Sequence, residues 1–104
     1  MRANTRNAMT AWVQGKECRK ASAVWSNGDH VYSYHTCMVA RADDGTVIVN
    51  ATKYSVTTSC QQGGIRYYLA SNGVAYVEVN GLPMGCHADT LRSAYASATT
   101  GASA

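Results

Sequence analysis

The chain has no phenylalanine and little charge. Charged residues make up 14% of its 104 positions, against about 25% in an ordinary soluble domain. No apolar run approaches the roughly 18 residues of a membrane-spanning helix, so no such span is expected. The first 20 residues lack the apolar stretch of a secretory leader, so a cytoplasmic protein is expected. No C-x-x-C pair occurs among Cys18, Cys37, Cys60 and Cys86, so free thiols are expected rather than a disulfide framework. The mixed His35-Thr36-Cys37 and Cys86-His87 stretches do not add up to a zinc site, and no metal or cofactor is expected.

Catalytic apparatus is equally sparse. There is no phosphate-binding loop of the G-x-x-x-x-G-K-[ST] type. Asp43-Asp44 reads as turn chemistry rather than as a carboxylate pair. A cysteine nucleophile needs a poised base, and Cys37 near His35, or Cys86 beside His87, offers adjacency in sequence only. His30 and His35, considered with Lys53 as a two-histidine phosphodiesterase site, fall five apart and point to opposite faces of an extended strand. The sequence therefore reads as a protein without catalytic residues.

What is present is a set of 7 Tyr and 2 Trp. Each such ring has an apolar body and a hydrogen-bonding tip, which suits a binding face. Hydrophobic residues at 46% indicate a globular chain. A chain of this length buries roughly 65% of its unfolded surface, enough for one domain. Low surface charge favours self-association, and a symmetric homodimer is expected. The net charge of +3 is uneven: Arg2, Arg6, Lys16, Arg19 and Lys20 stand against Glu17 alone at the N-terminus. A basic segment of this kind can meet phosphates or an acidic partner, or simply form a solvated helix face.

Residues 3–14 fit an amphipathic helix ended by Gly15. Runs at 21–25, 30–41 and 46–50 are separated by Asn27-Gly28 and Asp43-Asp44-Gly45, which predicts an antiparallel meander with a long middle strand bent near His35. Thr58-x-x-Gln61 and Ser59-x-x-Gln62 fit capping boxes for a helix over 59–71. A strand over 74–79 and a short helix capped by Asp89 follow. The predicted class is α+β, order α-β-β-β-α-β-α, with an antiparallel three- to four-stranded sheet and helices packed on one face. One domain spans 1–96, and 97–104 reads as a disordered tail. The uncovered sheet face would carry the surplus tyrosines.

The densest polar stretch is Asn50-x-Thr52-x-Tyr54-Ser55-x-Thr57-Thr58-Ser59. Hydroxyls ahead of a helix N-terminus, beside free backbone N–H groups, suit an anion. Capping explains one or two of them. The candidate ligand-binding set is Lys53, Tyr54, Ser55, Thr57, Thr58 and Ser59, joined by Tyr34 and Thr36 from the neighbouring strand and by Arg66 from the helix.

Tyr34-x-Thr36, followed by Gly45-x-Val47-x-Val49-Asn50-x-Thr52-x-Tyr54-Ser55-Val56-Thr57-Thr58-Ser59, resembles a family of small uncharacterised proteins of phages and prophages. Those proteins carry a Ser-Tyr-x-Thr strand and a Tyr-Ser-x-Thr-Thr-Ser segment. The likeness spans 33–66 and the Trp12-x-x-Gly15 helix end. The family pattern continues Lys-His-Gln, where this chain has Cys60-Gln61-Gln62, so any phosphate contact or acid–base role of that Lys and His is missing here. The resemblance implies a phage origin, and hence the host-cell cytoplasm, but no set activity.

Two functional expectations follow. One is a non-enzymatic anti-defence protein that binds and neutralises a host factor, either a nucleotide-type immune signal or a defence protein. The other is a nucleic-acid-binding module using the basic N-terminal helix and Tyr32, Tyr34 and Tyr54 for stacking. A pI near 8.8 is low for the second role, in which values above about 9 are usual.

Overall fold

Two nearly unbroken apolar runs, Cys37-Met38-Val39-Ala40 and Val47-Ile48-Val49, decide the architecture, because strands of this kind must be covered on both faces. The computed structural model describes residues 3–18 and 23–103. Arg2, Arg19 and Lys20 of the basic segment, with Ala21 and Ser22 of the first predicted strand, lie outside the described residues. The chain is α+β. A six-stranded sheet takes the order β1 (Glu17–Cys18), β2 (Val24–Asn27), β3 (Val31–Ser33), β4 (Thr36–Arg41), β5 (Val47–Asn50) and β6 (Tyr76–Val79). Helices are α1 (Ala3–Val13), α2 (Val56–Ser71) and α3 (Ala88–Ser103). Among the described residues no helix is long and apolar enough to cross a membrane.

The sheet is mixed, not purely antiparallel. β1 to β5 pair antiparallel, but β6 joins β5 in parallel, with α2 as the crossover. Nor do the helices share one face. Ala8, Met9 and Trp12 of α1 and Ile65 and Leu69 of α2 pack on Val24, Val31, Met38, Val39, Val47 and Val49. Ala88 and Leu91 of α3 pack on Cys37, Ala40, Ile48 and Val79. The face expected to stay open is therefore covered by α3.

The long middle strand is in fact a hairpin. Ser33 pairs with Thr36 across a two-residue loop, Tyr34-His35, and Tyr34 takes a φ of 54°. Val31 pairs with Val39 and Tyr32 with Cys37, which leaves Met38 as the extra residue of a bulge. The bulge brings Met38 and Val39 into the same core. The Asn27-Gly28 turn forms where the sequence places it. Asn27 Oδ1 accepts the N–H groups of Asp29 and His30 at 3.0 and 2.8 Å. A Cβ at Gly28 would come within 3.0 Å of the Gly15 carbonyl oxygen.

Helix α2 starts earlier than Thr58 or Ser59. Ser55, extended at φ −153°, is the N-cap and accepts the Thr58 N–H at 3.1 Å. Thr57, Thr58 and Ser59 therefore form its first turn. Helix α3 includes Asp89 in its first turn and continues to Ser103, past the Ser97 at which the sequence predicts a disordered tail.

Arg92 fastens α3 to the sheet. Its guanidinium donates to the Arg41 carbonyl at 2.8 Å, pairs with Asp89 at 2.8 Å and meets His30 Nε2 at 2.7 Å. Burial, then the neighbouring Arg92 charge, lowers the His30 pKa below its ordinary 6.5, while Asp29 and Asp89 oppose the shift and Arg41 adds to it. An imidazole that accepts from Arg92 must be neutral at Nε2.

Two outcomes follow from these contacts. Ser55→Ala removes the cap of α2 and lowers stability by about 1 kcal/mol, which chemical denaturation measures. For His30, the unfolded chain binds the proton more readily than the folded one. Its contribution to stability is therefore complete above pH 6.5 and is lost as the pH falls from there through the lower folded value. Melting curves between pH 7.5 and 5 should fall less steeply in His30→Gln than in the parent.

Candidate functional site

The end of β5 carries Asn50, a carboxamide with no exposure to solvent. A buried amide has to be satisfied, and Asn50 is satisfied by several segments at once. Its Nδ2 donates to the Cys37 carbonyl at 3.1 Å and to the Tyr54 hydroxyl at 3.0 Å. Its Oδ1 accepts the Thr52 N–H at 3.0 Å. Its own carbonyl accepts from Gln62 Nε2 at 2.7 Å, and Gln62 also donates to the Thr52 carbonyl at 2.9 Å. Tyr54 in turn donates to the Leu82 carbonyl at 3.0 Å, and Thr52 Oγ1 accepts the Leu82 N–H at the same distance. The polar stretch after β5 is thus bolted to the loop that precedes α3.

A second set of bonds fixes that loop to β4. Thr36 Oγ1 accepts the Gly85 N–H at 2.9 Å, and the Cys37 N–H donates to the Cys86 carbonyl at 2.9 Å. Between these fixed parts lies a cleft of about 510 Å³. The β3–β4 hairpin supplies Ser33, Tyr34, His35, Thr36 and Met38. The approach to α2 supplies Tyr54, Ser55 and Thr58, and the loop supplies Met84 and Gly85. A shallower depression of about 480 Å³ adjoins it, lined by Lys53, Val56, Ser59 and Cys60 and sharing Tyr54 and Ser55.

Of the predicted site residues, Tyr34, Thr36, Tyr54, Ser55 and Thr58 line the cleft, and Lys53 and Ser59 line the depression. Thr57 and Arg66 line neither. Thr57 is exposed on the first turn of α2, and Arg66 is half-buried more than two turns along the helix. The sequence reading missed Met38 and Met84. Met38 reaches the cleft through the bulge, and Met84 stands 74% exposed in a loop outside any periodic pattern.

Tyr34 forms the rim. Its N–H donates to the Ala23 carbonyl at 2.7 Å, and its carbonyl accepts from Trp25 Nε1 at 2.8 Å. These bonds hold a bulky residue in the left-handed region, with its side chain 65% exposed. Among the described residues no Lys, Arg, Asp or Glu lines the cleft, and His35 is its one basic side chain. Burial, the largest of several influences, raises the pKa of Tyr54, whose hydroxyl lies between Asn50 and Leu82.

Two of the considered catalytic groupings, Cys37 with His35 and His30 with His35 and Lys53, are not assembled. Cys37 lies in the core beneath α3, its thiol donating to the Val39 carbonyl, while His35 lines the cleft. Burial first, and the neighbouring Cys86 second, push the Cys37 thiol up to about 12, so it stays protonated at neutral pH. His30 is engaged with Arg92, away from the His35 cleft and the Lys53 depression. Among the described residues no group of three His, Cys, Asp or Glu side chains could hold a metal ion. Tyr32 packs on the α3-side core and stacks on Trp25 at 4.6 Å between centroids, so it does not share a face with Tyr34 and Tyr54.

The four thiols differ in access: Cys60 is exposed, Cys18 half-buried, Cys37 and Cys86 buried. Iodoacetamide should therefore modify Cys60 first and Cys18 next. Cys37 and Cys86 should react only in denaturant, as peptide mapping after timed quenching will reveal.

Compared with known proteins, the chain matches no family model, no curated protein and no solved structure.

Proposed function

We propose that this chain is a non-enzymatic binding protein, an anti-defence protein of phage type, that captures a nucleotide-like small molecule and so withholds an immune signal from the host. The observation that carries the reading is the cleft. Its volume of about 510 Å³ lies in the range of small-molecule sites, and its walls come from three segments locked together by buried hydrogen bonds. A sequestering protein needs preorganised walls and no turnover, because ordering the site on binding would weaken capture. The exposed Tyr34 ring offers a stacking surface, and Lys53 in the adjoining depression offers a cation. The competing nucleic-acid reading asks Tyr32, Tyr34 and Tyr54 to act together, and Tyr32 is on the α3 side.

Native mass spectrometry of the purified protein, alone and with nucleoside monophosphates and cyclic dinucleotides, tests the proposal. A bound nucleotide-sized mass is expected, with an affinity that barely changes between 50 and 200 mM salt. The same spectra report whether the chain is the homodimer that its low charge favours. Tyr34→Gly suits the positive φ but removes the ring, so binding should fall at least tenfold, about 1.4 kcal/mol, without loss of melting temperature. Binding of single-stranded oligonucleotides with steep loss in salt would favour the nucleic-acid module instead.

A further inference from the structure

We infer that the cleft recognises an uncharged planar ring, the base of the nucleotide, and leaves the phosphate outside. This rests on the proposed capture of a nucleotide-like ligand and specifies which part of it is read. The first observation is charge. Among the described residues no Lys, Arg, Asp or Glu lines the cleft and His35 is its one basic side chain, so a phosphate taken into it would give up its hydration for at most one counter-charge.

The second observation is the state of the hydroxyls. Tyr54 is engaged on both sides, accepting from Asn50 and donating to the Leu82 carbonyl. Ser33 donates to Gln61 Oε1 at 2.5 Å. Ser55 and Thr58 are bonded to each other at 2.9 Å, and Ser55 also accepts the Thr58 N–H. Thr36 accepts from Gly85, which leaves its own hydroxyl hydrogen to meet a ligand acceptor. With Thr36 and the His35 imidazole as the polar groups left over, the cleft suits one or two directional contacts to a ring edge, not the three oxygens of a phosphate.

The third observation is the apolar lining. Met84 presents a polarisable thioether, Tyr34 presents a ring whose backbone is pinned, and buried Met38 backs the floor behind them. Thioether and aromatic surfaces favour flat heteroaromatic groups through dispersion and stacking. The ring therefore sits between Met84 and Tyr34 over the floor backed by Met38, with an acceptor towards Thr36, and the remainder of the ligand extends out of the cleft.

Isothermal titration of the full chain with adenosine, guanosine, cytidine and uridine, their 5′-monophosphates, cyclic dinucleotides and inorganic phosphate tests the inference. At least one nucleoside should bind within tenfold of its own nucleotide, and inorganic phosphate should not compete. Met84 is 74% exposed, so Met84→Glu leaves the fold intact and should weaken nucleoside and nucleotide alike by tenfold or more. A nucleotide bound at least tenfold tighter than its nucleoside, competition by inorganic phosphate, or unchanged binding by Met84→Glu overturns the inference while nucleotide capture stands. Binding of none of these compounds overturns nucleotide capture and this inference together.

Discussion

The geometry of the cleft depends on one buried carboxamide. Asn50 ends β5, bridges to the Cys37 carbonyl on β4, orders the turn through Thr52 and holds the Tyr54 hydroxyl. Through Tyr54 its influence reaches Leu82, and so the loop that carries Met84. A polar group without solvent access is costly when any of its bonds is unmade, so such a network tolerates few alternative arrangements. That constraint ties Tyr54 and the loop after β6 to the ends of β4 and β5 that border the cleft.

Strand direction explains why these segments meet. β4 and β5 are antiparallel, so the start of β4 and the end of β5 lie at the same edge of the sheet. The Tyr34-His35 turn enters there, and the chain leaves there towards α2. Because β6 must then pair in parallel with β5, α2 crosses back over the sheet, and its N-terminus stays beside the turn. Parallel pairing demands such a crossover, so the mixed topology and the position of the cleft have one cause. On the other face, Arg92 ties α3 to β4 and to His30, which closes the core from the side the cleft does not use.

Much of this was legible in the residues, and the exceptions have physical reasons. Helix α1, the Asn27-Gly28 hairpin and the strand of β5 follow from periodicity and turn chemistry. The Tyr34-His35 turn did not, because neither residue is one that ordinarily supplies a positive φ, and the bonds that enforce it come from Ala23 and Trp25. Reading 30–41 as one strand hid both the bulge and a sheet that needed cover on two faces. The cap moved to Ser55 because four hydroxyls stand within five positions, and only tertiary contacts of Tyr54 and Gln62 decide which precedes the helix. The Tyr54 to Ser59 stretch stands out in the sequence for its hydroxyls, and several of its polar groups form the frame of the cleft rather than its contact surface.

The absence of phenylalanine takes on a different meaning in this light. Tyrosine can fill apolar space while its hydroxyl closes a hydrogen bond, and several rings here do both. Tyr54 joins Asn50 to Leu82, Tyr95 reaches Asp44 at 2.9 Å, and Tyr68 meets Thr10 at 3.3 Å. Phenylalanine at position 54 would leave Asn50 one acceptor short and remove one of the bonds that hold the loop before α3, beside those of Thr52, Thr36 and Cys37. Three of the seven tyrosines are therefore used to join one element to another. Tyr34 is the exception at the cleft: its ring faces solvent, and its backbone sits in a conformation that a glycine would adopt more easily. A bulky aromatic side chain on a left-handed backbone, held by bonds to Ala23 and Trp25, thus leaves its ring exposed at the rim of the cleft.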